Sequence, residues 1–496
     1  MAVAQMSVLL LFTWLGTQQC YCWYTFGSLV DSLDYFGFDT EASRERFADL
    51  ALDWGALGFV LSLPLAVWVL RRYGLRWNMR ACAMLTFACC LLRIVPCVFV
   101  ASPSARASWV WLLHASCALN AIAGSFYACA VTTLSAEWFL PGQRTTATAV
   151  GYMGGNLGMC IGYALGAFFS RPSGGLFGCA QMPSLLFTEL GLALPALLLV
   201  WPLPASAPAL GDGAPAALAA ALDAPRSEAS PPVTPARFAS EVRAAICQPS
   251  LVFLVLASGG YAGANAAWGG LLPQIFASRR SWDTAEAQRV ANDCGFLNVG
   301  GSVFGMVLAG LLADKCFRRR LKEMVIFCFV ASAFITALVT VQFATPWQPS
   351  SALWAAPEGV VGTTLFAAGV LSGMLDPLCL ELAAEVGFPT SEATSSGLLT
   401  LVYNAAALAV LSLQPILRAV WVNTGYTAVF VLCTLLMLGV RSRYGRSDSA
   451  AEESRAAARA AAAEEAGGRK RSASNGADVA LLSAAAADGG FGETQA

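Results

Sequence analysis

The chain has 496 residues, of which 57% are hydrophobic and only 12% charged, whereas soluble domains average about 25% charged. With a mean hydropathy of +0.61, this composition excludes a soluble globular protein and predicts an all-α membrane protein. The net charge of −1 gives no reason to expect nucleic acid, so the expected partners are the lipid bilayer and a small-molecule substrate, with the chain a monomer.

A bilayer crossing takes roughly 20 helical residues. Apolar runs of that kind fall near 7–30, 51–70, 81–101, 109–134, 146–169 and 184–203, and then near 249–277, 291–313, 323–345, 357–380, 393–417 and 424–440. That is six spans in each of two halves, 1–203 and 249–440. The first run ends at Asp31 without a small-residue cleavage pattern, so it reads as a true span; a secretory signal is the alternative reading. A native chain that begins upstream of Met1 also stays open.

Between the halves, residues 204–248 carry Pro204, Pro208, Pro215, Pro225, Pro231, Pro232 and Pro235. Proline at this density removes backbone donors and blocks helix continuation, which predicts a flexible, solvated linker. After the last span, residues 441–496 are rich in Ala, Glu and Arg with nothing to pack on a core. They read as a mobile tail with Ser472 and Ser474 as candidate phosphorylation sites.

Orientation follows from the Lys and Arg bias of loops. The linker side carries Arg71, Arg72, Arg76, Arg80, Arg144, Arg226, Arg237, Arg243, Lys315, Arg318, Arg319, Arg320 and Lys322. The opposite side has Arg44, Arg46, Arg106, Arg171, Arg279, Arg280, Arg289 and Arg418. Both termini and the linker are therefore expected in the cytoplasm of a multi-pass protein of the plasma membrane or an organelle. Most of the sixteen cysteines lie inside apolar runs and behave as small hydrophobes. Cys179 and Cys294, near outer ends, allow one external disulfide.

Two chemistries are missing. There is no phosphate-binding P-loop, so the chain is not an ATP-driven pump, and no nucleophile–base–acid set marks an enzyme. No cofactor or metal is expected, since the cysteines lack metal-site spacing and the chain holds one histidine, His114. That lone histidine reads as structural.

Ionisable residues inside spans are functional candidates because they are costly to place there. Asp376, beside Pro377, suits a cationic substrate or a coupling proton, with a structural role as the alternative. Arg93 lies near the outer end of its run and can snorkel outward. On the seventh run, Tyr261, Asn265 and Trp268 share one helical face and Ala266 points away from it. Trp268 either joins a substrate cage or faces lipid.

The halves repeat each other. Gly310-Leu-Leu-Ala-Asp314-Lys-Cys-Phe-Arg318-Arg319 closes the eighth run, and Trp68-Val-Leu-Arg71-Arg72-Tyr-Gly74-Leu-Arg76 closes the second, about 245 residues earlier. Trp23 and Trp268 are separated by the same interval. Same-sense repeats imply a pseudo-twofold axis along the membrane normal with a site between the halves.

The G-x-x-x-D-x-x-x-R-R run resembles the loop signature of the major facilitator superfamily, in which the aspartate latches neighbouring helices; Arg71 stands at that position in the first copy. Ala136-Glu137-Trp138-Phe139-Leu140-Pro141-Gly142-Gln143-Arg144 leads into Gly154-Gly155-Asn156-Leu157-Gly158. With Glu381 to Leu398 and Leu92 to Cys97, these stretches resemble the feline leukaemia virus subgroup C receptor-related family, solute carrier family 49. The resemblance implies the twelve-helix major facilitator fold and export or uptake of a small organic solute: choline or ethanolamine, or else haem or another porphyrin, or a vitamin. A transport-inactive receptor or sensor of the same fold is the reading from another class.

In choline-handling members of that family, a first-span tryptophan and a seventh-span tyrosine form an aromatic cage, chemistry suited to a quaternary ammonium. The resemblance places the tryptophan on Trp23, beside Gln19, and a fifth-span amide on Asn156. The tyrosine falls on Ala266, so Tyr261 or Trp268 would have to replace it. The expected substrate-binding set is thus Trp23, Gln19, Asn156, Tyr261, Asn265, Trp268 and Asp376. Arg71, Gly74, Arg144, Gly310, Asp314, Arg318, Glu381, Glu385 and Glu392 are the expected gating residues of the cytoplasmic loops.

Overall fold

The structure, a computed structural model, describes residues 2–28, 30–100, 102–140, 142–169, 181–203, 234–277, 284–317, 319–343, 356–413, 419–441 and 444–449 with a few isolated positions. Cys179, Arg318, most of the expected linker (204–233) and the tail beyond residue 459 lie outside the described residues.

The apolar runs fold as helices close to the expected bounds. In the N-terminal block these are α1 (Ala2–Ser28), α2 (Glu41–Tyr73), α3 (Leu75–Phe99), a short α4 (Pro103–Ala107), α5 (Val110–Ala128), α6 (Val131–Trp138), α7 (Arg144–Phe169) and α8 (Gln181–Val200). The chain then continues with α9 (Pro235–Ile246), α10 (Pro249–Gly270), α11 (Leu272–Ala277), α12 (Thr284–Lys315), α13 (Leu321–Val341), α14 (Glu358–Val386), α15 (Glu392–Leu413) and α16 (Ala419–Gly439). Among the described residues, ten helices are long and apolar enough to cross a membrane, α5 and α6 counting as one. The remaining long helices, α1 and α7, have 27 and 26 residues and carry amides, hydroxyls and glycines along their length.

Local chemistry explains the boundaries. Thr40 caps α2, its hydroxyl accepting from the Ser43 N–H while the Ser43 hydroxyl accepts from the Thr40 N–H, a reciprocal capping box. The turn into α3 is made by Gly74 at φ 81°, a backbone region that favours glycine. α9 begins on Thr234 as N-cap with Pro235 in its first turn, where proline's missing N–H is harmless. This helix corrects the linker expectation: its twelve residues lie within 204–248, where the proline-rich composition masked a short amphipathic repeat.

Each block has its own apolar core, one built around Phe12, Leu15, Leu63, Met79 and Val131 and the other around Leu254, Phe276, Val325, Phe329 and Leu378. Between the blocks, α7 packs on α12 and α2 packs on α15. The glycine motif of the fifth run serves a contact inside the N-terminal block, that of α7 with α1. A Cβ at Gly154 or Gly158 would lie 2.3 Å from the Thr13 or Thr17 carbonyl oxygen, so both positions must be glycine for α7 to lie flush on α1. Asn156, between them, is then aimed away from α1.

Arg93 does not snorkel. It is 1% exposed, and its guanidinium lies 3.0 Å from both carboxylate oxygens of Glu189 on α8, with a further bond to the Ser116 hydroxyl. A buried guanidinium needs a counter-charge and hydrogen bonds, and Glu189 and Ser116 supply both.

Candidate functional site

A cavity lies between the blocks. It is lined from the N-terminal side by Trp23, Tyr24, Tyr152 and Asn156, and from the C-terminal side by Asn265, Ala266, Asn298, Ser302, Asp376 and Tyr403. A second chamber reaches deeper into the N-terminal block, to Gln19, Cys20 and Tyr127, with Asn404 of α15 on its other wall. The chambers share Trp23, Tyr152, Asn156, Met159 and Tyr403. Each has about 80 Å³ of space, room for on the order of six waters at 10–15 Å³ apiece.

Trp23 holds its place through α2. A Cβ at Gly55 would lie 2.3 Å from the indole Nε1, so only glycine leaves room for the ring, and Nε1 donates to the Leu52 carbonyl at 3.3 Å. Gln19 donates to the Asn120 carbonyl while Asn120 donates to the Gln19 carbonyl, at 3.2 and 3.1 Å. Asn156 donates across the block boundary to the Ser302 hydroxyl at 2.7 Å. These three expected residues are brought together.

On the other wall the expected face of α10 is turned. Ala262, Ala266 and Gly269, at spacings of four and three, line the cavity with Asn265 at their edge. Trp268 lies behind them, 4% exposed, donating to Asn423 Oδ1 at 2.8 Å and stacked on Tyr426 at 5.0 Å. Tyr261 is buried too, packed edge-on against Phe329. Neither ring lines the cavity, and Ala266, placed away from it by sequence, does. The choice of face went wrong because aromatic residues were given priority over small ones. In this helix the aromatics fill the core of their own block and the small residues make the space.

Tyr261 acts instead through Asp376. Its hydroxyl donates to Asp376 Oδ1 at 2.5 Å and lies 2.8 Å from the Ser372 carbonyl oxygen. Among the described residues no Lys or Arg forms an ion pair with Asp376; its carboxyl group faces the cavity and is held by the Tyr261 phenol. The arrangement offers a positively charged organic group one carboxylate and several aromatic faces, and cations lie favourably over such faces.

At the linker end the blocks are fastened by polar contacts. Asp314, at the end of α12, accepts from the Thr145 and Thr146 N–H groups at 3.3 and 2.7 Å. These belong to the first turn of α7, where a carboxylate meets unsatisfied donors and the positive end of the helix dipole. Gly310 permits the approach, since a Cβ there would lie 2.8 Å from Thr146 Cα. Glu381 accepts from the Ser135 hydroxyl at 3.2 Å and from the Thr148 hydroxyl. Glu385 is buried nearby on α14. The Glu392 carbonyl accepts from the Thr132 hydroxyl at 3.3 Å, and Arg144 reaches back to the Ala136 carbonyl at 3.4 Å.

Arg71 pairs with Glu241 of α9 at 3.0 Å. Burial alone would push the Glu241 carboxyl up, but hydrogen bonds from Ser391 and the Arg71 guanidinium outweigh it and hold Glu241 below its usual value of 4.5. A depressed carboxyl contributes stability above its ordinary value and loses it as pH falls through the lowered one, so this contact is complete at neutral pH.

Four residues were missed. Glu189 is the single acidic residue in an apolar run, which is itself a signal that a partner such as Arg93 is needed. Glu241 was hidden by the linker composition around it. Tyr152 and Tyr403, each on the cavity wall, carried no sequence signal beyond being aromatic. His114 accepts from the Trp54 indole at 3.2 Å, a structural contact. Cys294 is buried with a free thiol. Donor atoms of Cys22, Cys90 and Glu189 lie within 4.8 Å of one another, but that carboxylate is already engaged by Arg93 and by the Thr25 hydroxyl.

The chain is 26% identical over 460 residues to a solute carrier family 49 member 4 homolog of Xenopus tropicalis, covering 88% of this chain and 91% of the relative. It is 24% identical over 404 residues to the choline/ethanolamine transporter flvcr2a of Danio rerio, covering 79% and 76%. Its fold matches that of the proton:xylose symporter XylE with a TM-score of 0.66 at 16% identity, over 90% of this chain and 97% of that one. Residues 20–412 match the Major Facilitator Superfamily. The chain belongs to that superfamily of membrane transporters and within it resembles solute carrier family 49.

Proposed function

We propose that this protein is a secondary or facilitative carrier of a small organic cation of the choline or ethanolamine kind. In this reading twelve spans form two pseudo-symmetric six-helix halves, and both termini lie in the cytoplasm. The halves rock about the cavity to expose it to one side at a time. The observation that carries the proposal is the cavity itself: Asp376, a carboxylate with which no Lys or Arg among the described residues pairs, among the rings of Trp23, Tyr24, Tyr152 and Tyr403. An ammonium group is the ligand chemistry that satisfies both. Chambers of about 80 Å³ suit a solute of that size and favour it over a porphyrin. The relative named as a choline/ethanolamine transporter supports the same class.

The test is uptake of radiolabelled choline into proteoliposomes, with and without a proton gradient. Saturable uptake is expected, and Trp23→Ala should weaken it by about 0.5–2 kcal/mol, roughly two- to thirty-fold in affinity. Uptake insensitive to the gradient makes the protein a uniporter, and gradient-driven uptake gives Asp376 a coupling role. No saturable uptake of choline or ethanolamine would overturn the organic-cation reading.

A further inference from the structure

The two copies of the loop motif differ where it matters most. The second copy has Asp314, which caps the first turn of α7. The first copy closes α2, the helix packed on α15, and has Arg71 at the aspartate position. Arginine has no acceptor to offer a helix N-terminus, so the first copy cannot form that latch alone.

The missing carboxylate is nevertheless present. Glu241 Oε1 accepts from the Ser391 N–H at 2.9 Å and from the Thr394 hydroxyl at 3.2 Å, at the start of α15. Its Oε2 takes the Arg71 guanidinium at 3.0 Å. One carboxylate thus joins the end of α2 to the first turn of α15, as Asp314 joins the end of α12 to the first turn of α7. Both attractions have the same origin: unsatisfied N–H groups and a helix dipole facing an anion.

The helix bearing Glu241 is itself held by both blocks. Phe238 packs against the N-terminal core, Ala245 is buried in the C-terminal one, and Gln248, two residues past the end of α9, donates to the Val386 carbonyl at 2.5 Å. We infer that α9 is a strap and that Glu241 is a positioning residue of the gate, supplying from another part of the chain the carboxylate that Arg71 does not provide. Opening at the linker end then requires α9 to let go of one block, so this helix takes part in the cycle. The consequence for transport rests on the carrier reading; the strap itself is measurable without any solute.

The experiment is hydrogen–deuterium exchange of the full chain in lipid nanodiscs, comparing wild type, Glu241→Gln and Glu241→Gln with Arg71→Asp. Exchange in the first turn of α15 (residues 391–396) should rise about tenfold in Glu241→Gln, while the first turn of α7, capped by Asp314, stays protected. Arg71→Asp restores a carboxylate at the loop position, so the double variant should return exchange to within about twofold of wild type. A loss of packing could reproduce the first effect, but it would not be rescued by a second charge change. Unchanged exchange in Glu241→Gln, or a double variant as exposed as the single one, would overturn the inference. An absence of choline uptake would count against the carrier reading and leave this measurement decisive for the strap.

Discussion

Each block carries a carboxylate inside a span, Glu189 in one and Asp376 in the other, and the two are treated oppositely. Glu189 in the N-terminal block is 0% exposed and gripped by Arg93 through both oxygens. The Arg93 guanidinium also lies over the Phe26 ring at 4.7 Å, so this group is closed off from any solute. Asp376 in the C-terminal block has the Tyr261 hydroxyl in place of a cation and opens on the cavity. A neutralised pair tethers helices; an anion held only by a neutral donor keeps its attraction for something that arrives. On the carrier reading proposed above, that difference separates a structural carboxylate from a substrate-binding one.

The largest expected effect comes from breaking the structural pair. Removing one partner of a buried ion pair typically costs about 3–5 kcal/mol because the other charge is left unpaired. Arg93→Met should therefore lower the thermal midpoint sharply and reduce the yield of monodisperse protein. The double change Arg93→Met with Glu189→Leu should recover much of the loss, since a packed apolar pair can be nearly neutral. If the single variant were stable but failed in uptake, Glu189 would belong with Asp376 as a functional charge, and the contrast between the blocks would collapse.

How these roles were visible in sequence differs as well. The spans were legible because length and apolarity alone fix a bilayer crossing, and Asp314 was legible because its motif is local. Asp376 announced itself as a charge inside a span. Arg93 was misread because its partner lies 96 residues away in another run, a distance over which sequence spacing pairs nothing. Trp268 was misplaced because a helical face gives angles without saying which angle is the cavity. Glu241 could not be found at all, since a charged residue in a polar segment has no signature until the helix that carries it is docked.

A smaller effect should follow from Asp376→Asn, which keeps the shape and removes the charge. Hydrogen bonds and contacts to a charged group are worth about 1.5–3 kcal/mol, so choline affinity should fall roughly ten- to 150-fold with the thermal midpoint little changed. Binding measured by calorimetry on purified protein separates this from a folding defect. Equal affinity in the variant would make Asp376 a second structural carboxylate.

The smallest effect, and the sharpest test of the comparison, is Tyr261→Phe. The substitution leaves the ring packed against Phe329 and Phe430 and removes only the hydroxyl that donates to Asp376. Stability should drop by about 1 kcal/mol, the net worth of a typical hydrogen bond. A carboxylate that has lost its neutral donor still carries its charge and is freer to approach a cation. Choline affinity should therefore stay within about threefold of wild type or tighten, in contrast to its fall in Asp376→Asn. A loss as large as that of Asp376→Asn would mean that the cation is recognised by the tyrosine and aspartate as one unit, and the functional group would then be the pair.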